Sequence, residues 1–323
     1  MGKKSRVKQR SSTPAPADTT LAEVGPRQPC PCRSGRRYKH CHGRSGGAPA
    51  PYVARTFAGL ADECDWVALR EIVPSATAPL RLRTGVVDGD RDRDVTVCSL
   101  LPLALPALVR DDGSVWLGLQ VQANHGDLSR DLAYALERAL AAEPGSQVSV
   151  DGPPPPGPRL QDLLDPAADL EVTVHDGFDF WLAGDQSADG QATAALEAAN
   201  EAAAPTRRLT TVEAAYWTRM SEREYVRWVL PRDEDRLLDA LARLHAAGSD
   251  RLGDSGRLLG MFRAHALLTP VWELASGTGA DGFDEHMASM SQRLDAALAD
   301  DSDLSPQERS ARNGLANRQL TIR

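Results

Sequence analysis

Residues 28–47 read QPCPCRSGRRYKHCHGRSGG, and positions 30–42 hold three of the chain's five cysteines and two of its seven histidines. No other feature narrows so sharply what its own stretch of chain can become. The segment has too few apolar residues to bury a core, so apolar burial alone does not fold it. Its spacing, Cys30-x-Cys32-x8-Cys41-His42, offers three thiols and an imidazole, the donor set of a closed tetrahedral zinc site. His40 is the alternative imidazole. Pro31 stiffens the turn between the first two thiols, Ser34-Gly35 lets the chain reverse, and RRYKHCH can form a helical turn with Cys41 and His42 at its end. Zinc contributes about 10–16 kcal/mol in small finger peptides, enough to order such a loop. One structural Zn2+ is therefore expected, and without it the segment joins the unstructured arm before it. A redox pair is disfavoured because its signature is C-x-x-C beside a βαβ unit. Catalytic zinc is disfavoured because four protein ligands leave no open position.

The run PCPCRSGRRYKHCHG, residues 29–43, resembles the SEC-C zinc motif, named for the carboxyl terminus of the SecA translocation motor. The likeness lies in ligand order, in spacing, and in the Ser-Gly and Tyr-Lys between the ligands. It implies Zn2+ on Cys30, Cys32, Cys41 and His42, the last in preference to His40. Because the SecA motif serves chaperone and ribosome contacts, it also implies that Arg36, Arg37, Lys39 and Arg44 face a partner. Arg33 stands where the motif carries Gly; at positive φ that substitution costs roughly 1 kcal/mol, small beside the metal. Beyond the motif, the layout resembles an uncharacterised actinobacterial family that joins SEC-C to a body of unknown function.

Charge is unevenly spread. Residues 1–50 carry eleven Lys and Arg against Asp18 and Glu23, a net +9 in a chain whose total is −8, so the rest sums to −17. A basic arm on an acidic body favours contact with anionic partners, either an acidic protein or ribosomal surface or, as the alternative, nucleic acid. All four lysines lie at 3, 4, 8 and 39. A P-loop ATPase or a lysine-dependent enzyme in the body is thereby excluded, and so is the SecA motor itself. The polar SSTPAPADTT follows the basic first ten residues where a signal peptide needs an apolar run, and the apolar stretch 97–109 is short and broken by prolines. A cytoplasmic chain without a transmembrane segment is expected.

The organisation reads as a disordered basic arm (1–27), the zinc module (28–44), a Gly/Pro linker (45–52), an α+β domain (53–185) and a helical region (186–323). The last two are either two domains or one. The α+β domain is expected to hold a mainly antiparallel sheet. Its strands fall at 80–87, 94–101, 107–109 and 114–122, a helix spans 128–143 with Asp127 or Ser129 as N-cap, and a hairpin turns at Asp176-Gly177. Beyond 190 the apolar spacing predicts helices over 190–204, 211–229, 233–247, 256–275 and 282–299, and a frayed polar tail.

The body shows no comparable motif. Asp88, Asp90, Asp92 and Asp94 alternate like the start of a calcium loop, but Arg93 and Ser99 occupy its Gly and Glu positions, so a solvated turn is expected. Cys64 and Cys98 lie in apolar patterns as core thiols do. Trp217, Met220, Glu224 and Trp228 share a helical face, read as a core stripe beside a charged surface in preference to a nucleic-acid platform. An enzyme would need a pocket where His125 or His175 meets a carboxylate, with Asp127 and Asp176 the nearest in sequence. The chain is therefore read as a zinc-binding interaction protein, with no catalytic residue assigned.

Overall fold

The computed structural model describes residues 52–86, 93–122, 124–150, 152–182, 190–318 and 320, together with Arg37 and Lys39. The four expected zinc ligands and the Asp88–Asp92 part of the acidic turn lie outside the described residues. Residues 1–51 and 52–323 are separate units, and the architecture that follows is that of the second.

It is α+β, with seven α-helices and eleven strands among the described residues. The first sheet takes β1 (Ala76–Leu80), β2 (Val95–Cys98), β3 (Ala107–Val109), β4 (Val115–Gly118), β5 (Gln147–Val148) and β6 (Thr173–Val174) in the order β5-β3-β4-β2-β1-β6. Every pairing is antiparallel except β2 with β4. Ala76, Ala78, Val95, Val97, Ala107, Val109, Val115 and Leu117 alternate along these strands into one core with α1 (Glu63–Glu71) and α2 (Leu128–Ala141). The expected first strand at 80–87 sits earlier, at β1. The expected hairpin at Asp176-Gly177 is absent: β6 pairs with β1, and Asp179–Trp181 forms a 3-10 turn that sets Phe178 and Trp181 together, 4.5 Å between centroids.

The second sheet corrects the expectation of a mostly helical C-terminal part. After α3 (Leu160–Leu163) and α4 (Gly190–Ala202) come β7 (Thr206–Leu209), β8 (Ala215–Met220), β9 (Arg223–Trp228), α5 (Glu234–Ala246), β10 (Arg257–Ala264) and β11 (Leu267–Leu274). The strands form one antiparallel sheet in the order β10-β11-β9-β8-β7. The stretches 211–229 and 256–275, expected as helices, are two hairpins. Their two-residue turns carry no glycine: Ser221 has φ 53°, and His265 and Ala266 have φ 47° and 61°. Both faces of this sheet are covered, which replaces alternation with near-continuous apolar runs. Tyr216, Val229, Phe262, Leu267 and Val271 join the first core; Trp217, Val226, Trp228, Leu268 and Trp272 join a second one beneath α5, α6 (Phe283–Leu298) and α7 (Pro306–Ala316).

Helix α1 is buried over six successive residues, Cys64 to Leu69, as a helix packed on all sides must be. Much of the tail expected to fray is instead α7, opened by a Ser305/Glu308 capping box with Pro306 in its first turn and anchored by fully buried Leu315. Past it, Arg318 and Leu320 pair with Met261 along β10: Met261 donates to the Arg318 carbonyl at 3.3 Å, and Leu320 donates to the Met261 carbonyl at 2.9 Å. Gly260 permits this approach, since a Cβ there would stand 2.5 Å from the Arg318 oxygen.

Candidate functional site

Of the sequence-expected site residues, Arg37 and Lys39 are described and exposed. Cys30, Cys32, Cys41, His42, Arg36 and Arg44 lie outside the described residues. Among the described residues no group of three or more His, Cys, Asp and Glu is placed to hold a metal ion. No helix there is long and apolar enough to cross a membrane. Cys64 and Cys98 are fully buried free thiols, and burial pushes both thiol pKa values up, which keeps them protonated and inert.

In the body, the one parallel pair among the described strands creates a hollow. The chain leaves β2 through residues 101–106 and leaves β4 through residues 119–122, and both exits lie at the carboxyl ends of the pair. The first exit presses on the second strand: a Cβ on Gly118 would stand 2.5 Å from the Leu105 carbonyl oxygen. Leu103 and Ala104 take φ 58° and 53°, a region that side chains disfavour, and Leu103 is 79% exposed. Between these exits, the start of α2 and the residues after β5 lies a cavity of about 230 Å3. Leu103, Leu105, Pro106, Val121, Leu132 and Val150 supply its apolar wall, and Gln122, His125, Asp131 and Ser149 its polar groups.

His125 and Asp131 meet here. The Asp131 carboxylate folds back from the first turn of α2, accepting the backbone N–H of His125 at 2.8 Å on Oδ2 and facing its Nδ1 at 3.2 Å on Oδ1. A carboxylate accepts, so the pairing assigns the ring proton to Nδ1 and leaves Nε2 as the acceptor of the neutral imidazole. Asp127, the carboxylate nearest in sequence, is not the partner. It stands at the N-cap position without a cap bond, gripped instead by Arg159 through Nε at 2.7 Å and Nη2 at 3.0 Å. Asp131, Gln122, Ser149 and Leu103 escaped the sequence reading. The available signal was that a carboxylate in a helix's first turn reaches back over the preceding loop.

His175 takes a structural place. Its Nε2 lies 2.8 Å from the Thr77 hydroxyl and its ring 4.7 Å from Phe180, while Asp176 pairs with Arg207 at 2.6 Å. Trp217, Met220, Glu224 and Trp228 are spread over a hairpin. Both tryptophans point into the second core and Met220 is exposed. Glu224 is buried and accepts from Trp217 Nε1 at 3.1 Å and from the backbone N–H of Gly277 and Gly279 at 2.8 and 2.7 Å, pinning the loop after β11.

The deepest charges join α1 to the second sheet. Asp65, with no exposed surface, accepts from the Tyr216 hydroxyl at 2.6 Å and from Arg208. Burial raises its pKa, against the pull of Tyr216 and Arg208. Nearby, Arg227 donates to the Ile72 carbonyl at 2.9 Å, at the negative end of the α1 dipole, and burial lowers its pKa to about 10. Each of these bonds ties α1 or its C-cap to a strand of the second sheet, so they read as a fastening between layers.

Two family models match the chain. One is the SEC-C motif, over residues 27–44, which contains all four expected zinc ligands. In that region a protein translocase subunit SecA from Rubrobacter xylanophilus is 46% identical over 37 residues, 12% of this chain and 4% of the relative. The chain thus matches only a small part of that relative's length. No solved structure matches. The other model covers residues 56–323, hence both sheets and both cores, and the chain belongs to that family, a family of unknown function (DUF5926).

Proposed function

We propose that this chain is a zinc-binding adaptor whose SEC-C segment docks an acidic protein or ribosomal surface. The observation that carries the reading is the SEC-C match over 27–44. The donor chemistry fits the metal: Cys30, Cys32 and Cys41 supply thiolates and His42 an imidazole, which together saturate a tetrahedral Zn2+. Bound there, the ion would be structural, ordering a segment too short to hold itself. Arg36, Arg37, Lys39 and Arg44 then form a basic rim toward the partner, and the body contributes a second contact.

Metal analysis of purified protein tests the first half: wild type should carry one equivalent of zinc and Cys32→Ser should lose it. Replacing the four rim residues by Ala tests the second, and should weaken partner capture and flatten its salt dependence while leaving zinc in place. Unchanged capture would sink the docking. The +9 charge of residues 1–50 supports a second reading, nucleic-acid binding. A steep fall of affinity for RNA or DNA with salt, and no protein partner, would favour it.

A further inference from the structure

We infer that the cavity at the carboxyl ends of β2 and β4 is a binding site for a neutral, ring-sized apolar molecule that carries one hydroxyl, of the phenol class. Its volume of about 230 Å3 exceeds the roughly 150 Å3 of an apolar cavity that holds benzene, so one substituted ring fits. Leu105, Pro106, Val121, Leu132 and Val150 give such a ring an apolar wall. The polar groups sit among them in small number, as in small-molecule sites.

His125 decides the chemistry of the ligand. Its backbone N–H and its Nδ1 are both taken by Asp131. That pairing fixes one tautomer and turns the ring's other nitrogen, Nε2, into an acceptor for a ligand O–H. A carboxylate ligand finds no Lys or Arg among the lining residues, and Asp131 repels it. The lip supports the same assignment. Leu103 and Ala104 are held in a disfavoured backbone region with the Leu103 side chain in solvent beside the opening. A ring in the cavity gives that side chain an apolar neighbour.

The full chain is titrated calorimetrically with phenol and with toluene, which matches the ring but lacks the donor. Phenol should bind about three- to tenfold more tightly, the margin of one hydrogen bond. His125→Phe should erase that margin while leaving toluene binding unchanged. Val150→Trp, at a half-buried wall position, should exclude both ligands while the thermal midpoint shows the fold intact. Equal affinity of wild type for phenol and toluene overturns the role of His125. Absence of binding by either up to millimolar concentration, or unaltered binding by Val150→Trp, overturns the site. Zinc content and partner capture are read separately, so failure here leaves the adaptor reading untouched.

Discussion

The six-stranded sheet hides one face beneath α1 and α2 and leaves the other to a half-buried cluster of Trp116, His175 and Phe180, whereas the five-stranded sheet is covered on both faces. The first also breaks its antiparallel pattern once, at β2 and β4, and there the cavity opens. In the second, every pairing is antiparallel and the strands run up to eight residues. In the less covered half that hollow sits beside the Leu103–Ala104 turn and the His125–Asp131 pair.

If coverage sets this division, truncating an aromatic on the second sheet should be the most damaging change. Trp272→Ala removes a fully buried indole that donates to the Asp250 carbonyl at 2.8 Å, and should cost about 3–5 kcal/mol in urea unfolding. Trp116→Ala, on the open face of the first sheet under Arg110 at 4.5 Å, should cost only about 1–2 kcal/mol. Equal losses would remove the contrast. Next in size is the fastening between layers: Asp65→Ala strands the buried Tyr216 hydroxyl and one arm of Arg208, and a loss of about 3 kcal/mol is expected by the same measurement.

Glu224→Gln tests whether a loop of the second sheet is held by charge. The amide keeps one acceptor oxygen where the carboxylate uses two, so about 1–2 kcal/mol should go. Faster hydrogen exchange at Gly277 and Gly279 should accompany that loss. The smallest effect belongs to His175 on the open face, where burial holds the imidazole pKa below its ordinary value although Asp176 pulls it up. Its unfolded form takes up a proton first. Its contribution is therefore present above the unfolded pKa, roughly 6.5, and is lost as pH falls through the folded value. Urea midpoints from pH 7 down to 5 should slope less in His175→Gln than in wild type.

What could be read in the sequence follows the same division. Strands β2, β3 and β4 alternate between core and open face, prolines interrupt the chain between β2 and β3, and Asp112-Gly113 turns it between β3 and β4, so their period was visible. Strands β8 to β11 are apolar on both faces, and their turns use Ser221 and His265-Ala266 where a reader looks for Gly or Asn. Trp217 and Trp228 therefore fell at helical spacing although they sit on adjacent strands of one face. The α7 capping box at Ser305 and Glu308 was present in the sequence, masked by the polarity around it. The SEC-C segment was legible because the motif is defined by residue types at fixed spacing within a short run. Half of the cavity's dyad was legible: His125 stood out, but its partner depended on where α2 begins, and Arg159 had already taken Asp127.

Gly260 carries a consequence for solubility. β10 is the outer strand of its sheet, and Arg318 and Leu320 occupy part of the hydrogen-bonding edge it would otherwise offer. The closure is intramolecular and depends on a missing side chain, since Cβ at that position collides with the Arg318 carbonyl. Gly260→Ala would lift the closing segment and bare that edge for strand-to-strand pairing with a second molecule. Such a variant should aggregate in proportion to its concentration while its individual molecules stay folded. On this expectation the pairing of Arg318 and Leu320 with Met261 guards the edge of β10 as well as packing against it.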